Sequence, residues 1–291
     1  MRLRNPVSAL VACLALFLAS SPSRAALFFF NTGSPDGLMA MASHPAGNGQ
    51  PEVEAADDFV TTDPVQINQV TFTGLVPEGA TIESVRLEIY RVFPNDSDVG
   101  RTSGAPTFST SNVPTRVNSP SDVAFAEREG SDLTFLSALL NPSFTTSNSV
   151  VTGINPQPNQ ATGGDGPQTG QERFFTVKLN NPFVLPADHY FFVPQVELSD
   201  GTFLWLSAAK PITPGGGNTP FPMGSTDLQA WIRNDPGIAP DWLRVGTDIE
   251  GGQRTFNGAF SLEGVVVPEP ATALLLVAGI GGIALRGRTR V

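Results

Sequence analysis

The chain holds one cysteine, Cys13, two histidines, His44 and His189, two tyrosines and three tryptophans. Each scarcity removes a class of chemistry. Cys13 lies inside an apolar leader, so the chain left after its removal carries no thiol. Disulfides, thiolate nucleophiles and cysteine metal sites are thereby excluded. There is no His-Glu-x-x-His, no Gly-x-Ser-x-Gly nucleophile elbow and no phosphate-cradling Gly-x-x-x-x-Gly-Lys. His44 sits in a Gly/Pro loop, and His189, within Ala187-Asp188-His189-Tyr190, reads as a strand-entry turn. Charged residues make up 15% of the chain, against about 25% in an average globular protein.

Positive charge is scarce in the middle of the chain and gathered at its ends. Of 17 Lys and Arg, six lie at the two termini: Arg2, Arg4, Arg24, Arg286, Arg288 and Arg290. Of 27 Asp and Glu, only Glu269 does, so the body between carries 11 basic against 26 acidic residues, a net charge near −15. Phosphates need a basic face, which excludes nucleic acid as a partner.

The ends themselves are targeting segments. Arg2 and Arg4 precede an apolar run over 7–19, and Ser23-Arg24-Ala25 places small residues at −3 and −1, so residues 1–25 read as a secretory signal peptide cut after Ala25 or Ala26. The last segment, 265–291, has three parts in fixed order. Pro268-Glu269-Pro270 is stiff and extended, because proline fixes its own φ and biases the residue before it. Residues 271–285 are apolar and uncharged. Such a run satisfies its own backbone in lipid as a helix, and counted from Pro268 it reaches the lower edge of the roughly 20 residues that span a bilayer. Arg286, Arg288 and Arg290 then hold the C-terminus on the cytoplasmic side. Gly279, Gly281 and Gly282 leave one stretch of the helix narrow enough to pack closely on another.

Motif, apolar run and basic end together closely resemble the PEP-CTERM sorting signal of Gram-negative bacteria. Pro268, Glu269 and Pro270 match its motif letter for letter, and the resemblance covers about a tenth of the chain. It implies an exosortase partner, an integral-membrane transpeptidase that cuts near the motif. It also implies an inner-membrane intermediate and then a place at the cell surface or in the extracellular matrix. Ala56-Asp57-Asp58-Phe59-Val60, Gly246-Thr247-Asp248-Ile249 and Phe260-Ser261-Leu262-Glu263-Gly264 are phrases associated with exported proteins of this sorting class. They imply a surface β-sandwich and bring no catalytic residues with them.

The body, residues 27–264, carries 29 Gly and 26 Pro less a few at the ends, yet is rich in Phe and Val, as in short strands joined by turn-rich loops. Strand-period alternation marks 65–73, 81–93, 172–179 and 256–263. Shorter strands are expected at 27–30, 182–185, 189–198, 203–208, 228–233 and 242–245. Residues 31–51, 95–122, 153–170 and 211–224 read as loops. One helix is expected over 131–140, from Leu133, Leu136, Leu139 and Leu140, capped by Ser131 and stopped by Pro142. Crossover helices between strands are otherwise missing, which argues against a parallel sheet. The expected fold is all-β, a two-sheet antiparallel jelly-roll-like sandwich between the signal peptide and a single C-terminal transmembrane helix.

Sites in the body are weakly marked. Asn95-Asp96-Ser97-Asp98-Val99-Gly100 has calcium-loop oxygens at the first and third positions and Gly at the sixth. Val99 at the fifth and Pro106 at the twelfth exclude an EF-hand. Asp96 with Asp98, and Asp57 with Asp58, remain candidates for a looser calcium site; no other cofactor is indicated. Trp205 and Trp231 read as core, while Trp242, flanked by Asp241 and Arg244, is the candidate to stack on a sugar. The expectation is therefore a non-enzymatic surface or matrix protein. A module binding exopolysaccharide is the alternative. A hydrolase, which needs two facing carboxylates, comes third.

Overall fold

The computed structural model describes residues 26–47, 49–97, 113, 116–152, 161–208, 221, 224–233 and 241–267. The signal peptide, Asp98, Pro268, Glu269, Pro270, the 271–285 run and Arg286, Arg288 and Arg290 lie outside them. Among the described residues no helix is long and apolar enough to cross a membrane.

In chain order the strands are β1 (Leu27–Asn31), β2 (Pro35–Ala42), β3 (Glu54–Thr61), β4 (Val65–Val76), β5 (Ile82–Arg91), β6 (Ala126–Arg128), β7 (Leu133–Thr146), β8 (Asn148–Val150), β9 (Gln168–Leu185), β10 (Asp188–Leu198), β11 (Leu204–Ala208), β12 (Trp231–Arg233), β13 (Leu243–Arg244), β14 (Asn257–Gly258) and β15 (Phe260–Val266). They form two sheets. The nine-stranded sheet runs β1-β15-β4-β11-β2-β8, with β9 on the other side of β4, β7 beyond β9, and β14 against β11. The six-stranded sheet runs β13-β12-β3-β10-β5-β6. Pairing is antiparallel except between β2 and β8. Only Ser147 separates β7 from β8, so the pairing circuit β7-β9-β4-β11-β2-β8 returns to its start.

Alternation explains the interior. A strand with apolar residues at every second position has one face to bury, and two sheets bury theirs against each other. Val70 and Phe72 on β4 lie in register with Val177 and Phe175 on β9 and with Leu262 and Phe260 on β15. Val85, Leu87 and Ile89 on β5 join the same core, and all of these are buried, as is Phe256. The rings interlock: Phe72 stacks on Phe175 at 4.7 Å and Phe192 on Phe260 at 5.1 Å. The small sheet also buries its far face, in a second cluster built on Trp231, Trp242, Tyr90, Phe191 and Val193.

Four expectations are corrected. Residues 131–140 form no helix: after a 3-10 turn at Gly130–Asp132 they enter β7. There Leu133 and Phe135 pair with Leu179 and Val177 of β9, and Leu136 turns outward, 75% exposed. A 14-residue ladder outweighs the weak helical spacing of four leucines. Pro142 sits where the register slips, the position at which a strand tolerates a missing donor. The loop expected at 31–51 contains β2, whose Met39-Ala40-Met41-Ala42 is wholly buried between β11 and β8. A strand covered on both faces shows no alternation. The face expected to be wet on the last strands is not: Asn257 and Ser261 are both buried, and Ser261 Oγ lies 2.6 Å from Thr71 Oγ1. Residues 172–179 and 182–185, expected as two strands, are one strand of 18 residues, β9.

Candidate functional site

Asp57 and Asp58 stand where β12 leaves the edge of β3. Trp231, Ile232 and Arg233 pair with Ala56, Ala55 and Glu54, and the ladder stops there. Neighbours on a strand point to opposite faces. Asp57, on the side of Phe59, accepts the backbone N–H of Gly258 at 3.0 Å. Asp58, on the other side, accepts the N–H of Leu228 at 3.1 Å and bonds His189 Nε2 at 2.6 Å. Asp227 extends the cluster, accepting from the Asn257 side-chain amide at 3.2 Å and from the N–H of Gln229 at 3.1 Å. The carboxylates thus serve as acceptors that tie segments 227–229 and 257–258 to a strand edge lacking its next partner. Back to back on β3, Asp57 and Asp58 do not converge on one point. Among the described residues no group of three His, Cys, Asp or Glu is placed to hold a metal ion.

His189 lies in β10, not in a turn before it. The Asp58 carboxylate holds its ring from one side and fixes the proton on Nε2. An Asp–His pair of this kind orients an imidazole for proton transfer, but a nucleophile must stand at the other nitrogen for acyl chemistry. Among the described residues no hydroxyl hydrogen-bonds to this ring.

The far face of the small sheet carries a buried ionic layer. Arg116, fully buried, lies between Asp122 and Asp241, bonding the latter at 2.6 Å, and its guanidinium covers the Phe93 ring at 4.4 Å. Glu54 accepts from Tyr90 Oη and from Arg233 Nε, each at 2.5 Å. The Arg233 guanidinium in turn lies 4.6 Å from the centre of the Trp242 ring. Trp242 donates its indole N–H to the Ser121 carbonyl at 2.9 Å and is wholly buried. It offers no face to a sugar, contrary to expectation, and neither do Trp205 and Trp231. Asp96 is likewise engaged, its carboxylate gripping the Arg91 guanidinium, with the Nε–Oδ2 distance at 2.6 Å.

Glu88 sits in the middle of this face, opposite Val193 on β10 and Glu127 on β6. It is 6% exposed, and its Oε2 meets no hydrogen-bond partner among the described residues. Burial, reinforced by Glu54, Glu52 and Glu127, pushes its carboxyl up to about 9 against the lowering effect of Arg86. Burial likewise pushes the Tyr90 hydroxyl up.

Two open grooves among the described residues are larger than the cleft of about 100 Å³ beside His44, Pro45 and Glu197. One, of about 440 Å³, crosses the outer face of the large sheet and is lined by Phe29, Asn31, Thr71, Thr73, Leu140 and Phe174. The other, of about 370 Å³, lies where the strand circuit closes, between Leu75, Val151, Asp165, Gly170, Thr202 and Leu204. The first also takes in Phe260, Ser261 and Glu263 of the closing strand, but neither contains a candidate metal or sugar residue. The Asp58–His189, Glu54–Arg233 and Arg116–Asp241 contacts join residues 131, 179 and 125 positions apart, so no local pattern announces them. Compared with family models, curated proteins and solved structures, the chain matches none.

Proposed function

We propose that this is a non-enzymatic exported protein of a Gram-negative cell surface or extracellular matrix, a β-sandwich of jelly-roll type delivered by an exosortase. The observation that carries the reading is the order of parts in the last 27 residues: Pro268-Glu269-Pro270, an uncharged apolar run, then Arg286, Arg288 and Arg290. The tail holds the protein in the inner membrane until it is processed. The acidic, thiol-free body suits life outside the cell, and it needs no cofactor.

Replacing Pro268, Glu269 and Pro270 together by alanine is expected to leave the protein unprocessed in the membrane fraction. Normal arrival of that variant at the surface overturns the reading. The alternative, a module binding exopolysaccharide, draws its support from the 440 Å³ groove, where Phe29 and Phe174 lie beside Asn31, Thr71 and Thr73. Apolar rings next to hydroxyl and amide groups are what a sugar face needs. Loss of polysaccharide retention in Phe174→Ala with the fold intact would favour it.

A further inference from the structure

The ends of the body meet at one place. The N–H of Val266 donates to the carbonyl of Ala26 at 2.8 Å, and the N–H of Val267 to that of Pro64, also at 2.8 Å. The 24-residue tail therefore departs beside the first residue of the body, at one end of the large sheet. That end is apolar. Leu27 pairs with Val265, Val265 with Gln66, and Gln66 with Val184. Paired residues share a face, so these four side chains form one row on the outer surface, roughly 15 Å long at the usual strand spacing. Leu27 is 87% exposed and Val184 61%. Pro186, at the adjoining turn, is exposed as well. A water-facing sheet rarely ends in such a row, and an exposed apolar patch marks something it touches.

Resting on the sorting-signal reading, we infer that this end is the footprint of the body on the lipid bilayer while the tail is anchored. The tail sets the distance: an apolar run that begins four residues after Val267 leaves no long spacer to hold the body away from the membrane. The row is too narrow and too close to exposed Asp63 to sink into hydrocarbon, so it lies at the headgroup layer, as small apolar anchors do. The strongly acidic body selects neutral over anionic lipid, whose surface repels it. Leu27 and Val184 keep the sandwich end-on to the membrane, so that the opposite end of β4 points away from it.

The mature chain has no thiol of its own, which makes the test direct. Leu27→Cys, Val184→Cys and, beyond the far end of β4, Glu78→Cys are each labelled with an environment-sensitive fluorophore in the chain 26–291. The labelled chain is then incorporated into phosphatidylcholine vesicles. A blue shift and quenching by nitroxide lipids are expected at positions 27 and 184, and a water-like spectrum at 78. If the chain floats with the vesicles while 27 and 184 stay water-like, the footprint is overturned and the anchor stands. If the chain does not float, anchor and footprint fall together. If 27 and 184 shift to the blue in lipid-free buffer, the tail itself covers the row, and the footprint is again overturned.

Discussion

A carboxyl group shut away from water among other carboxyls gives up its proton late. Glu88 has its folded value raised from 4.5 to about 9 by burial and by its acidic neighbours. The folded chain thus keeps a proton that the unfolded chain has lost. The associated stability is fully present below about pH 4.5 and is lost as pH climbs towards 9. Glu88→Gln removes the titration while keeping the shape. Thermal melts are expected to show the variant close to the parent at pH 5 and more stable than it at pH 9; parallel curves across that range would refute the burial argument. A second residue-scale contrast lies on β15. Phe260 packs against Phe30, Phe192 and Trp205, so Phe260→Ala is expected to cost about 3–5 kcal/mol. Ser261 points to the other face but is buried on Thr71, so Ser261→Ala is expected to cost about 1 kcal/mol, the worth of one hydrogen bond, instead of nothing. Denaturant melts of the pair decide it.

At the scale of elements, β14 is held by a close approach. A Cβ on Gly258 would stand 2.1 Å from Cζ2 of Trp205, whose indole is fixed to the Ala259 carbonyl at 3.1 Å and has no room to yield. Gly258→Ala is expected to cost at least the roughly 1–3 kcal/mol of an overpacked core; a melting temperature equal to the parent's would show that the ring can move. Which elements could be read in advance follows from how many faces each buries. β4 and the central part of β9 alternate because one face is core, β5 because its far face, though buried at Glu88 and Tyr90, is polar, and all three lie where the pattern places them. β2 hides both faces and leaves only Met39-Ala40-Met41-Ala42, a run with no period. β7 reads as a helix in the sequence because its outward leucines, Leu136, Leu139 and Leu140, share the spacing of a helical stripe, while what fixes it is the ladder to β9 at a distance in sequence. The site was less legible than the fold. Asp57 and Asp58 stood out as a pair of acids, but their work is done on opposite faces, with Gly258 and with Leu228 and His189. Trp242 stood out as an aromatic between charges, and those charges mark a buried layer and not a surface.

For the whole molecule, no cysteine lies between residues 26 and 291, so the two-sheet core must carry most of the stability. Fully buried ions such as Arg116 with Asp122 and Asp241 add little net stability when matched, but breaking one leaves a charge with no water, so they penalise other arrangements of the loops. The order of strands in the large sheet has a further consequence, which concerns time. Among the described residues the one neighbour of β1 is β15, and β15 in turn lies against β4. The first of the described strands to be synthesised therefore pairs with the last of them. Until residue 266 has been made, Leu27-Phe28-Phe29-Phe30 has no edge to join, and a bare apolar β-forming segment is the kind that seeks other chains. The folding of the large sheet closes from the C-terminal side, and a chain shortened by a few residues before 266 loses its first strand together with its last.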